Sequence, residues 1–353
     1  MPMLLSALGA VNGAAGWSGT YATDTALFLK LFAGEVLTTF ETNSVMLPLH
    51  TVRTISEGKS ATFPVTGIAT ASYHVPGTSI IDGSLSTVYA ASASAGSPTT
   101  AVSVPTGTYL SQIKHNERVI NVDDQLTSSA FIAKLDEARN HYDVRSIYTT
   151  EIGRALAKQM DKNLIGLGIL AARASTTITG GFGGSSLDIS AQATRTATTG
   201  AELVAGLYAA AEELDEKDVP MEDRYCVVEP WAFYKMIQEK SLINKDHSEG
   251  NGDFAKGTMY EAAGIKIIKS NNAGAVFGQT VAAVTGQQNT YSGNFSGTVA
   301  LVFHKAAIGT VKLMDLKLET EYQVERQGNL MVAGYAVGHG ILRPECSVEL
   351  KQA

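Results

Sequence analysis

Ser129 to Ala172 reads SAFIAKLDEARNHYDVRSIYTTEIGRALAKQMDKNLIGLGILAA. Apolar side chains recur at Phe131, Leu135, Ala138, Tyr142, Tyr148, Ile152, Leu156, Met160, Leu164, Leu167 and Leu170, mostly three or four residues apart. That spacing stacks them on one helical face. It predicts a single helix over about 129–172, which at 1.5 Å per residue would be roughly 60 Å long. A compact globule has no use for such a length. One modest apolar stripe on so long a helix implies a flat, extended subunit that completes its burial against neighbours.

Toward the N-terminus, residues 50–121 form β-prone pieces separated by Gly, Pro and Ser: Val52–Ile55, Ala61–Val65 and Lys114–Ile120. Between them, Gly83 to Thr108 is mostly Ser, Ala, Thr and Gly and offers few large side chains for a core. The whole reads as a two-stranded projection whose tip carries an insertion. Ahead of it, Asp24 can cap a helix that runs to about Phe40, an arm that must pack on something else. The first 16 residues have no Lys or Arg before their short Leu4-Leu5 core and make a poor signal peptide.

Toward the C-terminus, Ile178 to Thr199 is a Gly, Ser and Thr-rich connector. A helix follows over about Thr199 to Lys217, with Leu203, Leu207, Ala210 and Leu214 in register and Pro220 as its stop. Arg224–Val228 reads as a buried strand, Pro230–Glu239 as a helix and Ile265–Ile268 as another strand, marking a small mixed domain over about 198–298. Farther on, Leu316, Leu318, Thr320, Tyr322 and Val324 alternate with Lys317, Glu319, Glu321, Gln323 and Glu325, the clearest strand in the chain.

Composition narrows the function. Only 17% of the 353 residues are charged, and 27 basic against 34 acidic residues leave a net −7. Such a chain gains little counterion-release energy from nucleic acid, although it can lie beside DNA without gripping it. Cys226 and Cys346 stand 120 positions apart with no metal-ligand spacing, which fits a reducing cytosol. No run of eighteen apolar residues occurs, so no membrane helix is expected.

Five collinear blocks are very similar to the major capsid proteins of short-tailed, podovirus-type, autographivirus-like double-stranded DNA phages. They are Ala26–Lys30 with Gly34–Leu37, Val52–Val65, Asn140–Ser146, Gly309–Leu313, and Tyr335–Gly340 with Leu342–Glu345. The resemblance implies an α+β, HK97-like fold. Its parts would be an N-terminal arm over 1–50, an extended loop over 51–120 with a tip insertion at about 84–110, a peripheral domain over 121–197 and 299–353 holding the spine helix, and an axial domain over 198–298. It further implies a structural subunit that assembles with itself as pentamers and hexamers into an icosahedral head, built in the host cytoplasm with a scaffolding protein and a portal. A decoration protein on the shell and packaged double-stranded DNA lying alongside without sequence-specific binding complete the expected partners. The alternative on the same fold is an encapsulin-like nanocompartment shell.

Local motifs agree with a structural role. Gly58-Lys59-Ser60 ends like a phosphate-binding loop, but Arg53 stands where the first glycine belongs and the flanks are strand-like. His141, Asp143 and Glu151 do not converge with a nucleophile, and His304 and His339 lack ligand spacing. No enzyme activity, cofactor or metal is therefore expected. Contacts between subunits or domains are expected at Arg53, Glu57, Lys59, Asp82, Glu117, Arg118, Asp143, Arg145, Arg343 and Glu345, where each exposed ion pair contributes about 0–1 kcal/mol and repetition multiplies it. Gly180, Gly181, Gly183 and Gly184 form a candidate hinge, since glycines tolerate the dihedral changes of a domain rotation. Gly338-His339-Gly340 marks a tight backbone passage near the end of a sheet.

Overall fold

A computed structural model describes residues 35–69, 71, 73, 85–88, 102–105, 113–139, 144–178, 181–190, 197–239, 252–253, 258–259 and 261–352. Asp82, Asp143, Gly180, most of the arm and most of the tip insertion lie outside these residues.

Five helices organise the described chain: α1 (35–43), α2 (Lys134–Arg139), α3 (Val144–Ala172), α4 (Gly200–Glu216) and α5 (Pro230–Gln238). The strands that matter are β1 (Thr51–Thr54), β2 (Ser60–Thr66), β3 (His115–Asn121), β4 (Leu126–Ala133), β5 (Ser185–Ser190), β6 (Arg224–Val228), β7 (Ile265–Lys269), β8 (Thr298–His304), β9 (Ile308–Gln323), β10 (Gly328–Ile341) and β11 (Ser347–Gln352).

The expected 129–172 helix is corrected at its N-terminal end. Residues 129–133 belong to β4, which pairs antiparallel with β10, and the spine helix proper begins at Val144. Its 29 residues make a rod of roughly 43 Å. The apolar spacing of Phe131 and Leu135 fits a helix, but β10 offers an edge with eight backbone partners to 126–133, and tertiary pairing overrides a local period. In β4, Ile132 is buried while Phe131 is 41% exposed, the alternation of a strand.

Two sheets enclose the spine helix. One has the order β1, β9, β10, β4, with β9 and β10 forming a long antiparallel hairpin and β1 joining parallel at the edge. The other has six strands, in the order Glu261–Ala262, β7, β6, β8, β11, β5. Near its start α3 buries a stripe of Ile152, Leu156 and Met160; toward its end Leu164, Ile165, Leu167 and Ile169 are all buried. The helix therefore carries little amphipathic contrast, as expected for one packed on several sides.

β5, β8 and β11 lie in one sheet with β6 and β7, so the expected axial limits of 198 and 298 cut through that sheet. The connector expected over 178–199 contains β5, which pairs parallel with β11. At the other end, β1 pairs parallel with β9, whereas β2 pairs antiparallel with β3. The helix expected at 199–217 is α4, held by a capping box between Thr199 and Glu202.

Candidate functional site

The extended loop is built on the β2–β3 pair, in register from Ser60 opposite Asn121 to Thr66 opposite His115. Farther out, 85–88 pairs antiparallel with 102–105. Along β2 and β3 only Ala61, Val65 and Ile120 are buried. Glu57, Lys59 and Glu117 are exposed, and Arg118 is half-buried with its Nε lacking an acceptor among the described residues. Arg53 turns back on its own loop: its guanidinium donates to the Thr62 carbonyl at 2.8 Å and lies 5.7 Å from the Phe63 ring centre.

The base of the loop is wedged into the Gly338–Gly340 passage. A Cβ on Gly338 would stand 1.8 Å from the Asn121 carbonyl oxygen, and one on Gly340 would stand 2.6 Å from the Ile120 side chain. Two backbones pass there at a separation only glycine permits.

Beside this passage lies a polar cluster joining four segments. The Tyr291 hydroxyl donates to Asp123 Oδ2 at 2.5 Å and accepts from the His339 backbone N–H at 3.0 Å. Asp123 also accepts from the backbone N–H groups of Gln288 and Asn289. Burial raises the Asp123 carboxyl above its ordinary pKa despite these donors. His339 shares a 2.8 Å hydrogen bond with Thr310 Oγ1, and burial pushes its imidazole down to about 3. His50 stands edge-on to it with ring centres 6.4 Å apart.

Residues 44–46 of the arm are held by one buried carboxylate. Asp161, in the middle of α3, accepts hydrogen bonds from Ser44 Oγ (2.9 Å), Val45 N (3.0 Å), Met46 N (3.1 Å) and Asn272 Nδ2 (2.8 Å). At the far end of α3, Arg173 makes a two-point contact with buried Glu349 at 2.7 and 2.6 Å. Ser186 and Thr298 donate to the same carboxylate, and Arg173 also donates to the Asn294 carbonyl at 2.7 Å. The Glu349 contact raises the guanidinium pKa above its ordinary value.

Arg343 and Glu345 come together with Ile68, Phe182 and Lys217 around a cavity of about 350 Å³ between the loop base and the end of α4. Arg145 is half-buried in the first turn of α3. Gly181, Gly183 and Gly184 lie folded under the C-terminal end of that helix: Gly184 N–H donates to the Ala174 carbonyl at 3.0 Å, and a Cβ there would sit 2.3 Å from the Ala171 carbonyl oxygen. Close approach to the helix end is thus a demonstrated reason for glycine at 184. Asp161, Glu349 and Asp123 escaped the sequence reading. The available signal was a carboxylate inside an otherwise apolar period, as with Asp161 between Met160 and Leu164.

Among the described residues no cluster of three or more His, Cys, Asp or Glu side chains is placed to hold a metal. Asp123, Asp161, Glu349 and His339 instead tie segments together. Burial pushes the Cys226 thiol up to about 12, leaving it a poor nucleophile. A spine helix between two sheets, a hairpin loop with almost no core of its own and an arm anchored across the helix define an HK97-like shell subunit.

Solved capsids share this arrangement. The capsid structure of cyanophage P-SCSP1u superposes with a TM-score of 0.71 at 41% identity, covering 86% of each chain. The mature capsid of bacteriophage PhiM1 gives 0.66 at 18% identity over 88% of this chain and 87% of that one, a likeness of fold. The major capsid protein of Escherichia phage T7 is 33% identical over 342 residues, 91% of this chain and 90% of that protein. That of Enterobacteria phage T3 is 32% identical over 340 residues, again 91% and 90%. The family model described as Gp10A-like, major capsid protein, matches residues 101–351, and the chain belongs to that family. It is a structural protein of the icosahedral phage capsid, and the nanocompartment alternative is not favoured.

Proposed function

We propose that the chain builds its shell as pentamers and hexamers in the host cytoplasm, from a precursor assembled on a scaffolding protein around a portal, and that the extended loop supplies much of the contact between neighbours. The observation that carries this is the sparse burial of β2 and β3, where only Ala61, Val65 and Ile120 are covered. A two-stranded ribbon with so little core is marginal by itself and gains stability when a second surface covers it. Glu57, Lys59 and Glu117 sit exposed on that ribbon and at its base. There they set register against charges of an adjacent subunit rather than adding much affinity. Asp82, Asp143, Arg145, Arg343 and Glu345 are assigned to the same class of contact, and the glycines at 180–184 to a hinge between precursor and mature shells. Packaged double-stranded DNA lies beside the shell without a sequence-specific grip, in keeping with the net charge of −7. A decoration protein would bind the outer face, with the tip insertion as its nearest feature.

Electron microscopy of the purified chain, expressed with and without a candidate scaffolding protein, tests this reading. Closed shells, or capsomer rings that close only with the scaffold, are expected. Monomers under both conditions would overturn it.

A further inference from the structure

We propose that His50 and His339 form an acid-sensitive latch that holds the exit of the arm onto the base of the extended loop while both rings are neutral and releases it when they take up protons.

The geometry fixes the protonation of one ring. His50 Nδ1 lies 2.7 Å from the Met46 carbonyl oxygen, an acceptor, so Nδ1 carries the hydrogen and donates. Nε2 of a neutral ring is then a bare lone pair, and it is buried with no partner among the described residues. A proton added there creates both a charge and an N–H with nothing to accept it. The group that faces it across the cluster is His339, with ring centres 6.4 Å apart at an 85° interplanar angle. Two cations at that separation in a buried site repel each other.

Among the described residues no acid pairs with either ring. The Lys305 ammonium acts on His50 and disfavours the cation further. His339 is flanked by the neutral Thr310 hydroxyl and the Tyr291 ring, 5.9 Å between ring centres. Asp123 lies beyond Tyr291 and is bonded to its hydroxyl. Burial lowers both imidazole pKa values, that of His339 to about 3. Asp123 runs the opposite way, since its raised carboxyl takes up a proton more readily in place than when released.

The latch sits where movement has consequences. His50 joins the Leu47–Leu49 turn to β1, and His339 lies between Gly338 and Gly340, against which the loop base is wedged. A histidine that is neutral in place and free to charge on release, with a free pKa of about 6.5, raises the opening equilibrium about thirtyfold between pH 7.5 and pH 5. His50, lowered in the same direction, adds to that rise. The sign is fixed by the lowered pKa values: the contribution is complete above about 6.5 and is lost as the pH falls.

Hydrogen exchange of assembled shells at pH 7.5 and pH 5, corrected for the intrinsic pH dependence of exchange, tests the latch. Residues 44–54 are expected to lose protection by about thirtyfold or more, while β8 keeps its own. The His50→Gln and His339→Gln variants should each lose part of the response, and the double variant all of it. Unchanged protection in the native shell, or a native response retained by the double variant, would overturn the proposal. Histidine C2-hydrogen exchange on native shells keeps the question decidable if the variants fail to fold. Both rings should titrate well below their ordinary pKa; either ring titrating normally while residues 44–54 stay protected would equally overturn it.

Discussion

The Ser44 hydroxyl donates a 2.9 Å hydrogen bond to the carboxylate of Asp161, 117 positions later in the chain. With Val45, Met46 and Asn272 donating to the same group, one side chain joins the arm, the spine helix and the turn Asn272–Ala275 that follows β7. An ionised acceptor with this many donors is strongly held, and each donor left behind in the interior carries a desolvation cost.

Asp161→Ala is therefore expected to destabilise the subunit by about 3 kcal/mol or more. Asn272→Ala, which removes one donor, should cost about 1–2 kcal/mol. Guanidinium unfolding of the soluble subunit measures both. Equal effects from the two would show that the arm contacts of Asp161 contribute nothing.

Arg173→Met leaves the buried Glu349 carboxylate without its guanidinium partner. Breaking a buried pair in this way costs about 3–5 kcal/mol. Substituting both, as Arg173→Met with Glu349→Leu, should recover much of the loss, because a packed apolar pair avoids the desolvation cost. Thermal unfolding of the two variants side by side decides it, and an equal melting temperature for both would refute the expectation.

Gly340→Ala forces its new methyl against Ile120, which must move for it to fit. Overpacking of this kind costs about 1–3 kcal/mol. Because Ile120 lies on β3, the expected signature is a local loss of protection in 115–121 with β8 unaffected, read by hydrogen exchange.

Lys59→Glu and Glu117→Lys alter exposed charges, so subunit stability should change by no more than about 0.5 kcal/mol. Shell yield is expected to fall in each, measured by sedimentation of assembly reactions, and more steeply at low salt, where screening is weaker. Unchanged yield at all ionic strengths would remove these residues from the contacts between subunits.

Elements whose signals are local were legible directly. The α4 helix shows its period in Leu203, Leu207, Ala210 and Leu214, and Thr199 with Glu202 closes its first turn; β6 appears as the apolar run ending in Cys226-Val227-Val228. The glycine passage at 338–340 was legible as a tight place, though not what passes through it. Segments with weak local signals were misread. β5, Ser185 to Ser190, has only Leu187 and Ile189 as large apolar residues and becomes a strand because β11 offers it an edge. Residues 129–133 carry a helical spacing, yet β10 claims them.

Read alone, the amino-acid order determined α4, α5, β6 and β7, the low charge and the sparsely cored loop, because each depends on neighbours within a few positions. Tertiary structure alone decided where the spine helix starts, which strands share the axial sheet, and what Asp161, Glu349 and His339 touch. Their side-chain hydrogen-bond partners lie 29 to 176 positions away, and a hydrogen bond made across such a separation leaves no periodicity in the sequence around either end.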